Sequence, residues 1–335
     1  MARTVSIVGA GRVGISLGKH LRELGWRIGA VVTRSKATAR AAVRRIGAGK
    51  PFDRLTAGVT GVGVLHASPV SRASPAKPGR RVEAWGFSPA KSGDLMRALA
   101  QGSNLILVST PDDIMPGVAQ SLADAARVAG PRALRGKIVL HTSATLDRSA
   151  LAPLARLGAS TGSLHPMQAF GGKVIPELKG VIFGIEGDAK ARRLAQSIAK
   201  SLGGIPVVIE TIDKPAYHAA AVMAGGSIYP VLEAGLQLLM SIGFTRQRAS
   251  QTLIPLLRQI FDNIERIGPR AAWTGPLSRG DYAVVAKHMK ALRRYPPEFA
   301  KSYAALARLA AQVLAKDPTA TRKHLDRALG KGSKV

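Results

Sequence analysis

Gly9, Gly11 and Gly14 follow a short β-branched run, Val5 to Val8, in the spacing G-x-G-x-x-G. The pattern Val13, Leu17, Leu21, Leu24 then takes over without a gap, at the period of a helix. Strand, glycine turn and helix in that order leave backbone N–H groups free at the helix N-terminus, where they can hold an anion such as a pyrophosphate. The first glycine permits the sharp turn, the second lets the ligand approach the backbone, and the third lets helix and strand pack closely. Ala10, Arg12 and Val13 complete the loop. The next apolar run, Ile28 to Val32, stands at the distance expected of a β-α-β unit and ends in Thr33-Arg34-Ser35-Lys36, with no acidic residue from Trp26 to Pro51. A site for NAD(H) would carry Asp or Glu there for the ribose hydroxyl. A guanidinium flanked by a hydroxyl and an ammonium suits the extra phosphate of NADP(H) instead.

A nicotinamide cofactor brings its own hydride, so the protein must hold the acceptor carbon in place and offer a donor to the developing charge. His165 and His218 have that capacity near neutral pH. His165 opens the stretch His165-Pro166-Met167-Gln168, in which Gln168 is a candidate substrate contact. Ser109-Thr110-Pro111 closes another apolar run, Leu105 to Val108, and is a second candidate cofactor contact. Further on, Thr274 is a third catalytic candidate. Arg279 could clamp a carboxylate with Asp281 orienting it, or the two could form a structural ion pair. Asp112 or Asp113 reads as the N-cap of a helix beginning near Ile114. Asn263 reads as a hydrogen-bonding residue on a helix, and His66 as an exposed loop residue. His20, His141, His288 and His324 show no metal-ligand spacing, and no structural metal is expected.

These candidates need a scaffold that brings strand ends to one edge. The apolar runs 105–109, 137–141, 159–164, 181–185 and 205–209 alternate with helical patterns at 37–46, 147–157 and 189–202. That alternation predicts an α/β, Rossmann-type doubly wound sheet over residues 1–211, with its ligand at the carboxyl ends of the strands. Residues 47–90, rich in Gly, Pro, Ser and Arg, read as an inserted loop with one or two short strands, and 91–101 as a helix. From residue 212 the pattern is helical throughout: 215–242, broken at Gly225-Gly226 and Pro230, then 245–267 with Pro255 inside, 282–292 and 298–315. Residues 212–316 therefore read as a helical substrate-binding and dimer-forming domain, and 317–335 as a basic tail that frays.

Lys and Arg number 49 against 20 Asp and Glu, a net charge of +29. The basic residues are scattered and aromatic residues make up only 4% of the chain, so a face that stacks on bases is not indicated and no specific nucleic-acid partner is expected. The field does favour anionic ligands. The absence of cysteine excludes disulfides and thiolate chemistry and fits a reducing cytoplasm. No signal peptide and no membrane span are expected.

Five segments together resemble a known family: the glycine fingerprint; Ser109-Thr110-Pro111-Asp112-Asp113; Gly162-Ser163-Leu164-His165-Pro166-Met167-Gln168-Ala169-Phe170; Tyr217-His218-Ala219-Ala220-Ala221; and Thr274-Gly275-Pro276-Leu277-Ser278-Arg279-Gly280-Asp281. They are similar to the Rossmann-like proteins that carry domain of unknown function 2520. These proteins look related to pyrroline-5-carboxylate reductase, ketopantoate reductase and the 6-phosphogluconate dehydrogenase-like superfamily. The resemblance implies an NADP-linked oxidoreductase with a helical, dimer-forming C-terminal domain, and names no substrate. The chain departs from the family pattern at Ala224-Gly225-Gly226, where Ala-Ser-Asn is usual, so a side-chain amide is missing at Gly226. Residues and resemblance together point to NADPH-dependent hydride transfer to or from a small, anionic keto or imino substrate. The alternative is an NADP(H)-binding sensor or scaffold without turnover.

Overall fold

Short strands that are apolar on both faces can be buried only between two layers of helix, and the first part of the chain obeys that rule. The computed structural model describes residues 3–53, 99, 103–172 and 174–330. The expectations for His66, for the strands proposed within 54–90 and for most of the 91–101 helix lie outside these residues. Two compact units are formed, Met1–Gly225 and Gly226–Val335.

In the first unit, β1 (Thr4–Val8), α1 (Arg12–Glu23), β2 (Arg27–Thr33), α2 (Lys36–Ile46) and β3 (Lys50–Asp53) form the opening β-α-β-α-β series. β4 (Leu105–Val108), α3 (Met115–Ala129), β5 (Ile138–His141), the single turn α4 (Ala152–Ala155) and β6 (Ser160–Pro166) continue it. β7 (Ile182–Gly187), α5 (Ala189–Ser201), β8 (Ile205–Val208) and α6 (Lys214–Ala221) follow. The eight strands lie in the order β3-β2-β1-β4-β5-β6-β7-β8. All neighbours are parallel except β6 and β7, which are antiparallel. The two-residue period splits the core. Leu105 and Leu107 join Val5, Ile7 and the apolar sides of α1, α2 and α5, while Ile106 and Val108 join Val8, Val32 and α3.

The strand runs at 105–109, 137–141, 159–164, 181–185 and 205–209 all appear, as do the helices at 37–46 and 189–202, within one or two residues. The predicted helix 147–157 is instead a 3₁₀ turn, Arg148–Leu151, running into α4. The stretch read as the start of an inserted loop supplies β3, which pairs with β2.

Reversal at β7 has a geometric consequence. Pro166 pairs with Phe183 and Gly162 with Gly187, so β7 starts at the edge where β6 ends, and β8 runs parallel to β7. The chain therefore leaves β8 at the far edge, and α6 brings it back along the sheet towards the end of β6.

The compact first unit extends to Gly225, beyond the boundary at 211 expected from the sequence, because α6 packs on the sheet. Between α6 and the next helix, Val222–Gly226 forms a π-helical turn. Among the described residues one helical stretch, Thr211–Ser241, is long and apolar enough by length and composition to cross a membrane, where the sequence led us to expect none; Lys214, His218 and Glu233 interrupt it.

The second unit comprises α7 (Ile228–Ser241), α8 (Arg246–Ile267), α9 (Pro269–Ala272), α10 (Pro276–Arg279), α11 (Tyr282–Leu292), α12 (Pro297–Leu314) and α13 (Pro318–Leu329). Its core is Val285, Met289, Ala304, Ala311, Leu325 and Leu329. The last two residues correct the expectation of a fraying tail: Asp317 caps α13 through its carboxylate to the Ala320 amide, and the helix buries Leu325 and Leu329 against α11 and α12. By contrast, α7 buries only Leu236 and α8 only Ala249.

Candidate functional site

The glycine turn has the shape its spacing predicts. Gly9 has φ +85°, and a Cβ there would lie 2.6 Å from the Ser109 carbonyl oxygen and from Thr110 Cγ2. A Cβ on Gly14 would lie 2.5 Å from the Gly9 carbonyl oxygen, so the start of α1 rests directly on the turn. A Cβ on Gly11 would meet nothing within 4 Å among the described residues beyond its chain neighbours. Two glycines are thus required by packing, and the third faces open space at a helix N-terminus, as an approaching anion needs. Arg12 is exposed and donates to the Phe170 carbonyl at 3.3 Å; Ala10 and Val13 pack against the core.

At the end of β2, the Ser35 hydroxyl accepts from the Thr38 amide, while the Thr38 hydroxyl meets the Ser35 amide, closing a capping box on α2. The Thr33 hydroxyl donates to the Ser35 carbonyl at 2.8 Å and lies 2.6 Å from that of Thr38. The hydroxyls proposed for the cofactor are therefore engaged in the cap, and the exposed groups beside it are Arg34 and Lys36. Ser109 and Thr110 abut Gly9, with the Thr110 hydroxyl directed to Met115 Sδ at 3.5 Å and Pro111 exposed.

Three strands further along, the same edge carries a polar layer. His141 on β5, Ser163 on β6 and Glu186 on β7 are directly paired across the sheet and lie on one face. His165 is two residues beyond Ser163, opposite Gly184. Two residues of strand rise about 6.6 Å and three residues of helix about 4.5 Å, so a helix laid along the strand can meet both positions with side chains that take up the difference of about 2 Å. The helix α6 does this: the Lys214 ammonium donates to Ser163 Oγ at 3.0 Å, and three residues later the Tyr217 hydroxyl is 3.2 Å from His165 Nδ1.

Lys214 is only 3% exposed, and burial lowers its pKa from the ordinary lysine value, while the charges of Glu186, Asp147 and Asp112 oppose that shift. Glu186, also buried, is pushed up by desolvation although its carboxylate accepts the Arg148 amide at 2.8 Å. Both groups shift towards neutrality, the sign that burial outweighs their attraction. His141 is fully buried, and its tautomer follows from its partners. The Ser143 amide donates to Nδ1 at 3.2 Å, so the proton is on Nε2, which donates to the Asp147 carbonyl at 3.1 Å. Burial, then Lys214, lower its pKa to about 4. His141 is thus a neutral strut that fixes the 142–147 loop. Asp112 supports the same loop, accepting from Ser143 Oγ at 2.7 Å and Thr145 Oγ1 at 2.6 Å. This corrects the N-cap expectation for Asp112 and Asp113, since neither side chain caps the following helix.

His165 is largely buried, and desolvation, then Lys214 and His218, lower its pKa to about 4. His218 keeps Nδ1 buried without a hydrogen-bond partner among the described residues. The two predicted histidines therefore do come together, close enough for His218 to act electrostatically on His165. Gln168 does not join them: its amide nitrogen donates to the Glu177 carbonyl at 3.3 Å and its oxygen accepts the Ala169 amide, tying the loop after β6.

Thr274, Arg279 and Asp281 belong to the second unit, where Thr274 is exposed and Arg279 pairs with Asp281 at 3.1 Å on the surface. Among the described residues only Nε of the guanidinium is engaged, by Asp281 Oδ2, and the side chain is otherwise exposed. Asn263 accepts from Gln259 and Arg266 on the surface of α8.

Sequence reasoning missed Lys214 and Tyr217. Two signals were available. A lysine in the first turn of a helix opposes the helix dipole, an inconsistency that marks a tertiary role. Thr161, Ser163 and His165 also form a polar stripe at period two in a strand otherwise buried on both faces.

A doubly wound, mainly parallel sheet with a glycine turn at the end of its first strand defines a Rossmann-type dinucleotide-binding architecture. A Rossmann-like domain model matches residues 63–166, and the model of domain of unknown function 2520 matches residues 181–310. The two matches lie on separate segments and agree with the resemblance drawn from the sequence motifs. No curated protein matches the sequence. Solved structures share the fold. A provisionally assigned NADP oxidoreductase of Bacteroides fragilis is 19% identical with a TM-score of 0.64, covering 92% of this chain and 97% of its own. A reductive aminase of Aspergillus terreus, in complex with NADPH and ethyl-5-oxohexanoate, is 14% identical with a TM-score of 0.60, covering 97% and 100%. A 1-pyrroline-5-carboxylate reductase of Streptococcus pyogenes is 13% identical with a TM-score of 0.53, covering 98% of each chain.

Proposed function

We propose that the chain is an NADPH-dependent oxidoreductase that transfers hydride to or from a small, anionic keto or imino compound. One observation carries this reading. The carboxyl edge of a single sheet bears both an anion cradle with open space at Gly11 and a cluster of polar side chains, buried Lys214 with partly buried Tyr217 and His165. In this reading Gly9, Gly11 and Gly14 hold the pyrophosphate, Arg34 with Lys36 holds the 2′-phosphate, and Ser109 and Thr110 border the nicotinamide end. The bound nicotinamide supplies or takes up the hydride. The protein's own residues orient the acceptor, exclude water and stabilise negative charge: Lys214 by its field from beneath the edge, His165 and His218 by hydrogen bonds. The crystallised neighbours named for NADP or held with NADPH support the cofactor choice.

The second unit is read as a homodimer element, because α7 and α8 leave Tyr229, Val231, Leu256, Phe261 and Ile264 exposed. The absence of cysteine fits a reducing compartment such as the cytoplasm.

The deciding experiment is a titration with NADPH and NADH at physiological salt, so that the net charge of +29 does not dominate. NADPH-selective binding that is lost selectively in Arg34→Ala is expected. Equal affinity for the two cofactors removes the NADP assignment, and binding of neither removes the oxidoreductase reading.

A further inference from the structure

Residues directly opposed on neighbouring strands project from the same face of a sheet, and His165 is opposed by Gly184. Any side chain at 184 would fill the space beside the imidazole. The glycine leaves that space to the phenol of Tyr217: a Cβ on Gly184 would lie 2.8 Å from Cζ and from the hydroxyl oxygen of Tyr217. The phenol and imidazole rings meet edge to face, with centroids 5.6 Å apart and planes at 86°. The strand's missing side chain and the helix's aromatic one are thus two halves of one arrangement.

The surroundings decide which way the hydrogen bond at His165 Nδ1 runs. Of the two groups the phenol is the stronger proton donor and the imidazole nitrogen the stronger acceptor, so the phenolic proton is directed to His165 Nδ1. Burial holds Tyr217 above the ordinary tyrosine pKa, so it stays a phenol and remains a donor. Three groups on α6, Lys214, Tyr217 and His218, face His165, and the Asp112 charge acts on it from the end of β4. Burial, and after it the charge of Lys214, keeps the imidazole neutral. Its Nε2 has no protein partner among the described residues.

We propose that Tyr217, seated on Gly184, is a positioning residue that locks His165 as the neutral Nε2–H tautomer and so presents a fixed hydrogen-bond donor at the sheet edge. That a substrate meets this donor rests on the oxidoreductase reading; the tautomer does not. A neutral N–H donor is complementary to a carbonyl oxygen, which has lone pairs to accept it, and is mismatched with an iminium nitrogen, which has none.

The test is a long-range ¹H–¹⁵N correlation spectrum of the histidine side chains in the full chain without cofactor, with His165 assigned by His165→Gln. The wild type is expected to show the Nε2–H form at pH 7, persisting to about pH 5. Tyr217→Phe removes the donor, and Gly184→Ala displaces the phenol while keeping it chemically present. Both are expected to convert the single tautomer into a mixture. An Nδ1–H form or an imidazolium in the wild type at pH 7 overturns the proposal, even if neither variant folds. An unchanged His165 signal in both folded variants does so as well. Because the spectrum needs no cofactor, its outcome is independent of the NADPH titration.

Discussion

Gly11 and Gly14 stand three residues apart in one motif, yet a methyl group should have opposite effects at the two positions. At Gly14 it would meet the Gly9 carbonyl oxygen at 2.5 Å, against roughly 3.4 Å for an ordinary contact, so the start of α1 must retreat by about 0.9 Å. Overpacking of this kind costs about 1–3 kcal/mol. In a unit of this size that lowers Tm by roughly 2–10 °C. At Gly11 the methyl meets nothing within 4 Å among the described residues, so stability should change by less than about 1 kcal/mol, mainly the difference between Gly and Ala at an N-cap. It would, however, occupy the approach of the pyrophosphate. Loss of one hydrogen bond to a charged group, about 1.5–3 kcal/mol, weakens NADPH roughly 10- to 150-fold. Thermal unfolding and a fluorescence titration of each variant separate the two effects. Wild-type NADPH affinity in a folded Gly11→Ala variant would refute the cradle, and a wild-type Tm in Gly14→Ala would refute the packing argument.

Two further outcomes are expected of the buried groups. The folded-state pKa of His141 lies at about 4, below its ordinary 6.5, so on acidification the unfolded chain binds the proton first. Stability is therefore full above pH 6.5 and falls as the pH drops towards 4, by about 3 kcal/mol for this one group; urea midpoints at pH 7 and 4.5 should show a smaller loss in His141→Asn than in the wild type, and equal losses would show that another group controls acid sensitivity. Leu325→Ala should cost the second unit about 2–4 kcal/mol, because the side chain is fully buried against α11 and α12, and a wild-type melting curve would return α13 to the status of a loose tail.

Elements with strong local patterns were legible in the sequence. Val5–Val8, Ile28–Val32 and Leu105–Val108 are too apolar to be anything but strands buried on both faces, and the three glycines state their own spacing. What escaped was set by tertiary geometry. The helix at 318–329 looks basic and disposable because its two buried side chains, Leu325 and Leu329, acquire their value only from a groove made by α11 and α12. The reversal of β7 leaves little trace, since an apolar run reads alike in both directions. At the candidate site, His165 and His218 could be named from chemical type alone. Lys214 could not, because on a chain with 49 basic residues one more lysine carries little information until its burial is known. Asp112 was misassigned because an acidic residue before a helix is usually a cap, and only the fold brings Ser143 and Thr145 within its reach.

The paired stepping of α6 and β6 works as a ruler. Lys214 touches Ser163 and Tyr217 touches His165 because helix and strand step the same way: three helical residues rise about 4.5 Å against about 6.6 Å for two strand residues, and the side chains take up the difference of about 2 Å. Side chains along α6 can be exchanged one at a time without disturbing that correspondence. A single residue inserted between Lys214 and Tyr217 would turn the phenol through about 100° and break one contact while leaving the other intact. The spacing of the segment is therefore under tighter constraint than its composition, and a length change here should be far more damaging than one in a surface loop.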